Sequence, residues 1–272
     1  MTTATRSRAR TQSVSPLIAA PAVVGFSFLV LPLVAMVVRA PWRDMAALLS
    51  QGNVRSALLL SLECATIATV VSVVFGVPVA WVLARARFTG LGVVRACVTV
   101  PLVLPPVVGG IALLLALGRG GIVGRWLDQW FGLSLPFTSA AVVVAETFVA
   151  MPFLIISVEG ALRTVDRDAE EAAVTLGASR VAVFTRITLP AIGPALAAGA
   201  ILCWARALGE FGATITFAGN FPRTTQTMPL AIYQAFQLEP SAAIALGLVL
   251  LLVAVLVLAS LRDRWLRTPV NL

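Results

Sequence analysis

Residues 166–190 read DRDAEEAAVTLGASRVAVFTRITLP, a polar stretch set between long apolar runs. Asp166 or Asp168 can cap a first short helix, because a side-chain oxygen there accepts a hydrogen bond from an otherwise unpaired N–H. Glu170 and Glu171 in the opening turn complement the positive end of the helix dipole. Ala169, Ala172, Ala173 and Leu176 continue the helix as good helix formers, and Gly177 supplies the backbone freedom that ends it. Ser179 can cap a second short helix, where Val181, Val183 and Phe184 alternate with Arg180 and Arg186 to give an apolar and a basic aspect. Two short helices beneath a membrane are expected. Such a knob can pack on the membrane surface or serve as a handle for a cytoplasmic partner, and its chemistry alone leaves both open.

Outward from this loop the chain is strongly apolar. Of 272 residues 59% are hydrophobic and only 12% are charged, against roughly 25% charged in an ordinary soluble domain. A hydrocarbon core of about 30 Å takes about 20 helical residues to cross. Six runs reach that length: Leu17 to Val38, Ala57 to Ala84, Ala96 to Leu117, Ser139 to Ala161, Ala191 to Ala218 and Ala242 to Leu261. The first exceeds the apolar core of a signal peptide, about 7–15 residues, and reads as a retained helix.

An even number of spans puts both ends on one side, and short cytoplasmic loops are enriched in positive charge. Thirteen arginines fall on the side of the termini, among them Arg6, Arg8, Arg10, Arg262, Arg264 and Arg267; six fall on the other, and Arg206 stays inside a span. Both termini are therefore expected in the cytoplasm. The outer segments, 39–56, 118–138 and 219–241, are too short to bury a core of their own. Any substrate capture outside the cell falls to a separate protein.

The formal charge of +8 suits a nucleic-acid binder, but such proteins carry their basic residues on a polar scaffold, and nucleic acid is not an expected partner. All 20 basic residues are arginine and histidine is absent. Without lysine there is no G-x-x-x-x-G-K-[ST] phosphate loop; without histidine the common zinc sites and Ser-His-Asp systems are unavailable. This chain is expected to hold no cofactor or metal, and ATP and Mg are expected on another chain. Cys64, Cys97 and Cys203 lie far apart in apolar stretches and read as packing residues.

Glu171, Ala172, Ala173, Gly177, Ile187, Leu189 and Pro190 stand as EAA-x3-G-x9-I-x-LP, which resembles the signature loop of ABC-importer permeases. The resemblance implies that these residues couple to an ATPase subunit through a docking helix. It also implies a homodimer of permease subunits, two cytoplasmic ATPase subunits and an extracytoplasmic binding protein.

The fifth run is rich in small residues, and Ala191, Ala195 and Gly199 repeat at four-residue spacing along one face, a pattern that lets membrane helices approach closely. That face packs tightly, and the helix is expected also to line the route. Arg206 and Glu210, four apart, share a helical face and can pair. The stretch ARALGEFGATITFAGN, residues 205–220, contains Gly212, Thr214, Thr216 and Asn220. With TMPLAIY at 227–233, it resembles the molybdate and sulfate permeases, and ATITFAGN leans towards molybdate.

In the third run, PLVLPPVVGGIALLL, Pro105 and Pro106 must interrupt the helical ladder and bend it. Gly109 and Gly110 beside them leave room for a hinge or an ion path. This segment also looks like the molybdate permeases, in which the third and fifth spans form the gate. Glu159 can pair with Arg163 at i+4; Glu63 and Glu146 have no partner that the sequence names.

The expectation is an all-α, six-span membrane protein of the type I ABC-importer permease fold in the bacterial inner membrane. Residues 1–56 carry the N-terminal tail, first helix and outer loop; 57–261 form the permease core with coupling loop 162–190; 262–272 are the C-terminal tail. The expected function is ATP-driven molybdate import by alternating access, with sulfate, thiosulfate or tungstate as same-family alternatives. A secondary transporter would show internally repeated halves, and none is visible by inspection.

Overall fold

The computed structural model describes residues 15–50 and 52–265 of the chain, and every regular element among them is helical. Arg6, Arg8, Arg10 and Arg267, which weigh in the charge count above, lie outside the described residues, as do the side chains of Arg262 and Arg264. The helices are α1 (Pro16–Val38), α2 (Met45–Leu49), α3 (Gly52–Arg85), α4 (Leu91–Val103), α5 (Pro106–Leu117), α6 (Gly124–Phe131) and α7 (Ser139–Thr164). They continue with α8 (Arg167–Thr175), α9 (Arg180–Val183), α10 (Leu189–Leu208), α11 (Gly212–Phe217), α12 (Met228–Leu238) and α13 (Pro240–Trp265).

Among the described residues, 5 helices are long and apolar enough to cross a membrane: α1, α3, α7, the continuous run Arg180–Leu208, and α13. The expected third span is instead two pieces, α4 of 13 residues and α5 of 12, neither of which reaches that length alone. The cause is local. Leu104 and Pro105 are both extended, with ψ of 132° and 131°, because a residue that precedes proline is pushed out of the α region. Pro106 then opens α5, where a missing N–H costs nothing.

The expected fifth span is interrupted as well. α10 stops at Leu208 and the chain restarts as α11 at Gly212. Gly209 ends the first helix, and the Glu210 carboxylate accepts a hydrogen bond from the Ala213 N–H at 2.8 Å, capping the second.

The core lies where α3, α7 and α10 pack together, through Ala65, Ala68, Ala80, Ala150, Leu154, Val158, Cys203 and Ala207. Small residues set the helix separation. A Cβ on Gly76 of α3 would stand 3.2 Å from Leu154 and Ile155, and one on Gly199 of α10 would stand 2.9 Å from the Cβ of Ser157 on α7. Ser157 Oγ donates to the Ala195 carbonyl at 3.0 Å. The small-residue face of α10 read from the sequence therefore meets α7 of the same chain, through Ala195 and Gly199. Close approach of this kind is what holds helices together in lipid, where burial alone supplies no driving force.

α6 has an apolar side made of Trp126, Leu127, Trp130 and Phe131 and a polar side made of Arg125, Asp128 and Gln129. It ends at Gly132, whose φ is +64°.

Candidate functional site

Two regions gather the residues that the sequence marks. The first is the loop between α7 and α10. Asp166 caps α8 by accepting from the Asp168 N–H at 3.0 Å, and Ser179 caps α9 by accepting from the Ala182 N–H at 3.2 Å. Between them Gly177 has φ +89°, a left-handed conformation that costs an L side chain about 1–2 kcal/mol. The Gly177 N–H donates to the Val174 carbonyl, and the Ala178 N–H reaches back to the Ala173 carbonyl at 3.0 Å. Apart from its chain neighbours, no atom of the described residues approaches within 4 Å of a Cβ placed at Gly177. The need for glycine thus comes from the backbone, and the space in front of it is open.

The second short helix differs from the expectation. α9 does not lie apart beneath the membrane but runs through a π-helical segment, Phe184–Thr188, straight into α10. Pro190 in the first turn of α10 has no N–H for the carbonyl of the preceding turn, and the wide turn directly before it lets the Leu189 N–H reach Phe184. Ile187 and Leu189 are half-buried in this foot, whereas Glu171 and Ala172 are exposed on α8.

α8 buries none of its residues, and it is held by Glu170. The Glu170 carboxylate receives Arg85 Nη2, from the end of α3, at 3.1 Å and Thr188 Oγ1, from the root of α10, at 2.6 Å. A parallel cluster ties the neighbouring helix ends. Glu159 of α7 pairs with Arg163 at 2.7 Å, as the sequence suggests, and with Arg95 of α4 at 3.0 Å. Arg95 also donates to the Leu83 carbonyl at 3.2 Å.

The second region is the meeting of α5 with α11. Pro106 lies against Gly212, where a Cβ would stand 2.8 Å from the proline Cβ. Gly110 lies against Thr216 and the Ala213 carbonyl, and Gly109 against Phe148 of α7, whose Cε1 would be 3.1 Å from an added Cβ. The proline–glycine segment and the GATITF segment, about a hundred residues apart, are thus one junction.

Arg206 and Glu210 pair at 2.7 Å, with the Glu210 side chain 1% exposed. Thr214 is fully buried and its hydroxyl, like the Asn220 side-chain oxygen, has no partner among the described residues. Glu146 is buried in α7 with one carboxylate oxygen equally unpaired. Pro105 is exposed at the start of α5 and outside the Pro106–Gly212 contact. Phe148, Arg85, Arg95 and Thr188 carry no signal in the sequence, since each acts through a partner on another element.

The chain thus joins apolar helices, broken at paired glycine and proline contacts, to a polar helix–glycine–helix loop. Residues 72–268 match the family described as binding-protein-dependent transport system inner membrane component, and the chain belongs to that family. It is a multi-pass protein of the inner membrane.

Its relatives include the molybdenum transport system permease protein ModB of Mycobacterium tuberculosis, 48% identical over 92% of this chain and 94% of the relative. The protein of the same name from Escherichia coli is 40% identical over 77% of this chain and 92% of its own length. The fold is similar to that of a bacterial ABC transporter involved in import of the acidic polysaccharide alginate, with a TM-score of 0.70 at 20% identity over 93% of this chain and 95% of that one.

Proposed function

We propose that the chain is the translocation subunit of an ATP-driven importer of molybdate. The observation that carries this reading is the 48% identity to a molybdenum transport permease over nearly the whole of both chains. The working unit is a homodimer of permease subunits with two cytoplasmic ATPase subunits that bind ATP and Mg, served by an extracytoplasmic oxyanion-binding protein. α4 and α5 together make one crossing, which brings the total to six and leaves both termini in the cytoplasm.

α8 with its Gly177 turn is the docking helix. Glu171, Ala172 and Ala173 face the ATPase, and Ile187, Leu189 and Pro190 form the stiff foot that carries movement into α10. Pro105, Pro106, Gly109, Gly212, Thr214, Thr216 and Asn220 shape the gate, supported by Arg206 and Glu210. Approach of the ATPase subunits draws the coupling loops together and opens the route outward; hydrolysis resets it inward. A pathway that bound a dianion strongly would release it slowly. Neutral hydroxyls and close-packed glycines suit passage better than a cluster of cations, and selectivity rests mainly on the binding protein.

The test is co-purification with the ATPase and binding protein, followed by uptake of radiolabelled molybdate into proteoliposomes. ATP-dependent uptake competed by excess tungstate but not by excess sulfate is expected. Preferential sulfate uptake moves the chain to another oxyanion, and failure to bind an ATPase removes the importer reading altogether.

A further inference from the structure

α8 is the most exposed of the elements that must carry force, since none of its residues is buried. A helix with no buried side chain transmits little displacement through packing. Its polar contacts therefore decide what it moves. Asp166 caps α8 itself and Thr175 bonds back to Glu171 within it; among the described residues, Glu170 is the one α8 side chain that hydrogen-bonds or ion-pairs to another element.

One oxygen of that carboxylate, Oε1, takes both partners. Arg85 is the last residue of α3 and its side chain is 10% exposed. Thr188, 2% exposed, is the last residue of the π segment that becomes α10. The contact is charge-assisted and partly shielded, with the Glu170 side chain 21% exposed. Such bonds are shorter and stronger than neutral ones. Glu171, the next residue, is exposed.

We infer that Glu170 is a positioning residue, a strut that makes α8, the end of α3 and the root of α10 move as one piece. It rests on the reading of α8 as the ATPase-docking helix. When the docking helix shifts, Arg85 draws α3 and Thr188 draws α10. α10 leads through the Glu210-capped break into α11 and so to the Pro106–Gly212 contact. Without the strut, α8 follows the ATPase while α3 and α10 lag, and ATP is consumed without transport.

The experiment uses the full complex in proteoliposomes, with ATP hydrolysis and uptake measured together. Glu170→Gln keeps the side-chain shape and an acceptor oxygen but removes the negative charge that pairs with Arg85. It is expected to co-purify with the ATPase as the native chain does, while ATP consumed per anion transported rises at least fivefold. Thr188→Val, which keeps the volume, is expected to raise the same ratio, more weakly. The exchange Arg85→Glu with Glu170→Arg restores the pair in reverse and is expected to recover most of the coupling.

An unchanged ratio in both single variants overturns the strut, as does an exchange no better than Glu170→Gln. Loss of co-purification in Glu170→Gln assigns the residue to docking instead and overturns the strut equally. If the native chain itself neither binds the ATPase nor transports, the parent reading has failed rather than this one.

Discussion

Gly212 lies against Pro106 so closely that an added Cβ would stand 2.8 Å from the proline Cβ and 3.1 Å from the Val107 nitrogen. Both neighbours belong to a rigid ring or to backbone, so neither can swing aside as a long side chain would. Overpacking at such a point costs about 1–3 kcal/mol, and about 1.4 kcal/mol on a transport barrier is tenfold in rate. Gly212→Ala is expected to insert and assemble but to lower uptake by roughly tenfold. Gly160→Ala on α7, where an added Cβ meets nothing within 4 Å, is the control; it gains helix propensity worth about 0.5–1 kcal/mol and leaves uptake near the native rate. Equal uptake by Gly212→Ala and the control would show that the α5–α11 contact is not part of the moving gate.

Gly177 allows two effects to be separated. Its φ of +89° penalises any β-carbon, but asparagine tolerates left-handed backbone several-fold better than most residues. Among the described residues nothing crowds a Cβ there. If the backbone alone mattered, Gly177→Asn would keep uptake close to native while Gly177→Val lost it. If a partner closes on the turn, both lose uptake, and Gly177→Asp loses it most while the isolated permease keeps its thermal stability. The second pattern is expected, with uptake and detergent melting temperature measured on the same preparations. Native uptake in Gly177→Asp would remove the turn from the docking surface.

The features readable from sequence are those whose partners are sequence neighbours. Asp166, Gly177 and Ser179 perform the capping and turning roles assigned to them, because a cap depends on the two or three residues that follow it. Arg206–Glu210 and Glu159–Arg163 are readable because i,i+4 spacing is a property of any helix. Arg85–Glu170 and Arg95–Glu159, separated by 85 and 64 residues, depend on which helix ends the bundle brings together, and the charge pattern does not state that. Glu170 is the instructive case: as a first-turn acid it is explained by the helix dipole alone, and this sufficient local reason hides the tertiary one. The break at Gly209–Phe211 has a local signal, since glycine followed by an acid three residues ahead of Ala213 is a stop and a cap. The long apolar run hides it, because hydrophobic length says nothing about where the ladder is interrupted.

The Arg206–Glu210 pair makes the sharpest stability test, because its two ends are unequally placed. Glu210 is 1% exposed and also caps α11, whereas Arg206 is 28% exposed. Removing the arginine leaves a buried carboxylate without its counter-ion, which typically costs about 3–5 kcal/mol. Removing both charges with side chains of similar volume is often neutral, and glutamine at 210 retains an oxygen for the Ala213 N–H. Arg206→Met is therefore expected to lower the melting temperature and yield sharply, and Arg206→Met with Glu210→Gln to recover most of the loss. Glu210→Gln alone should fall between, since it leaves an arginine that still reaches water. If Arg206→Met melts like the native chain yet transports poorly, the pair is not a structural device and Arg206 instead meets the passing anion. A salt series on uptake then separates the two roles, because a screened encounter with an anion weakens with ionic strength, whereas a buried pair does not.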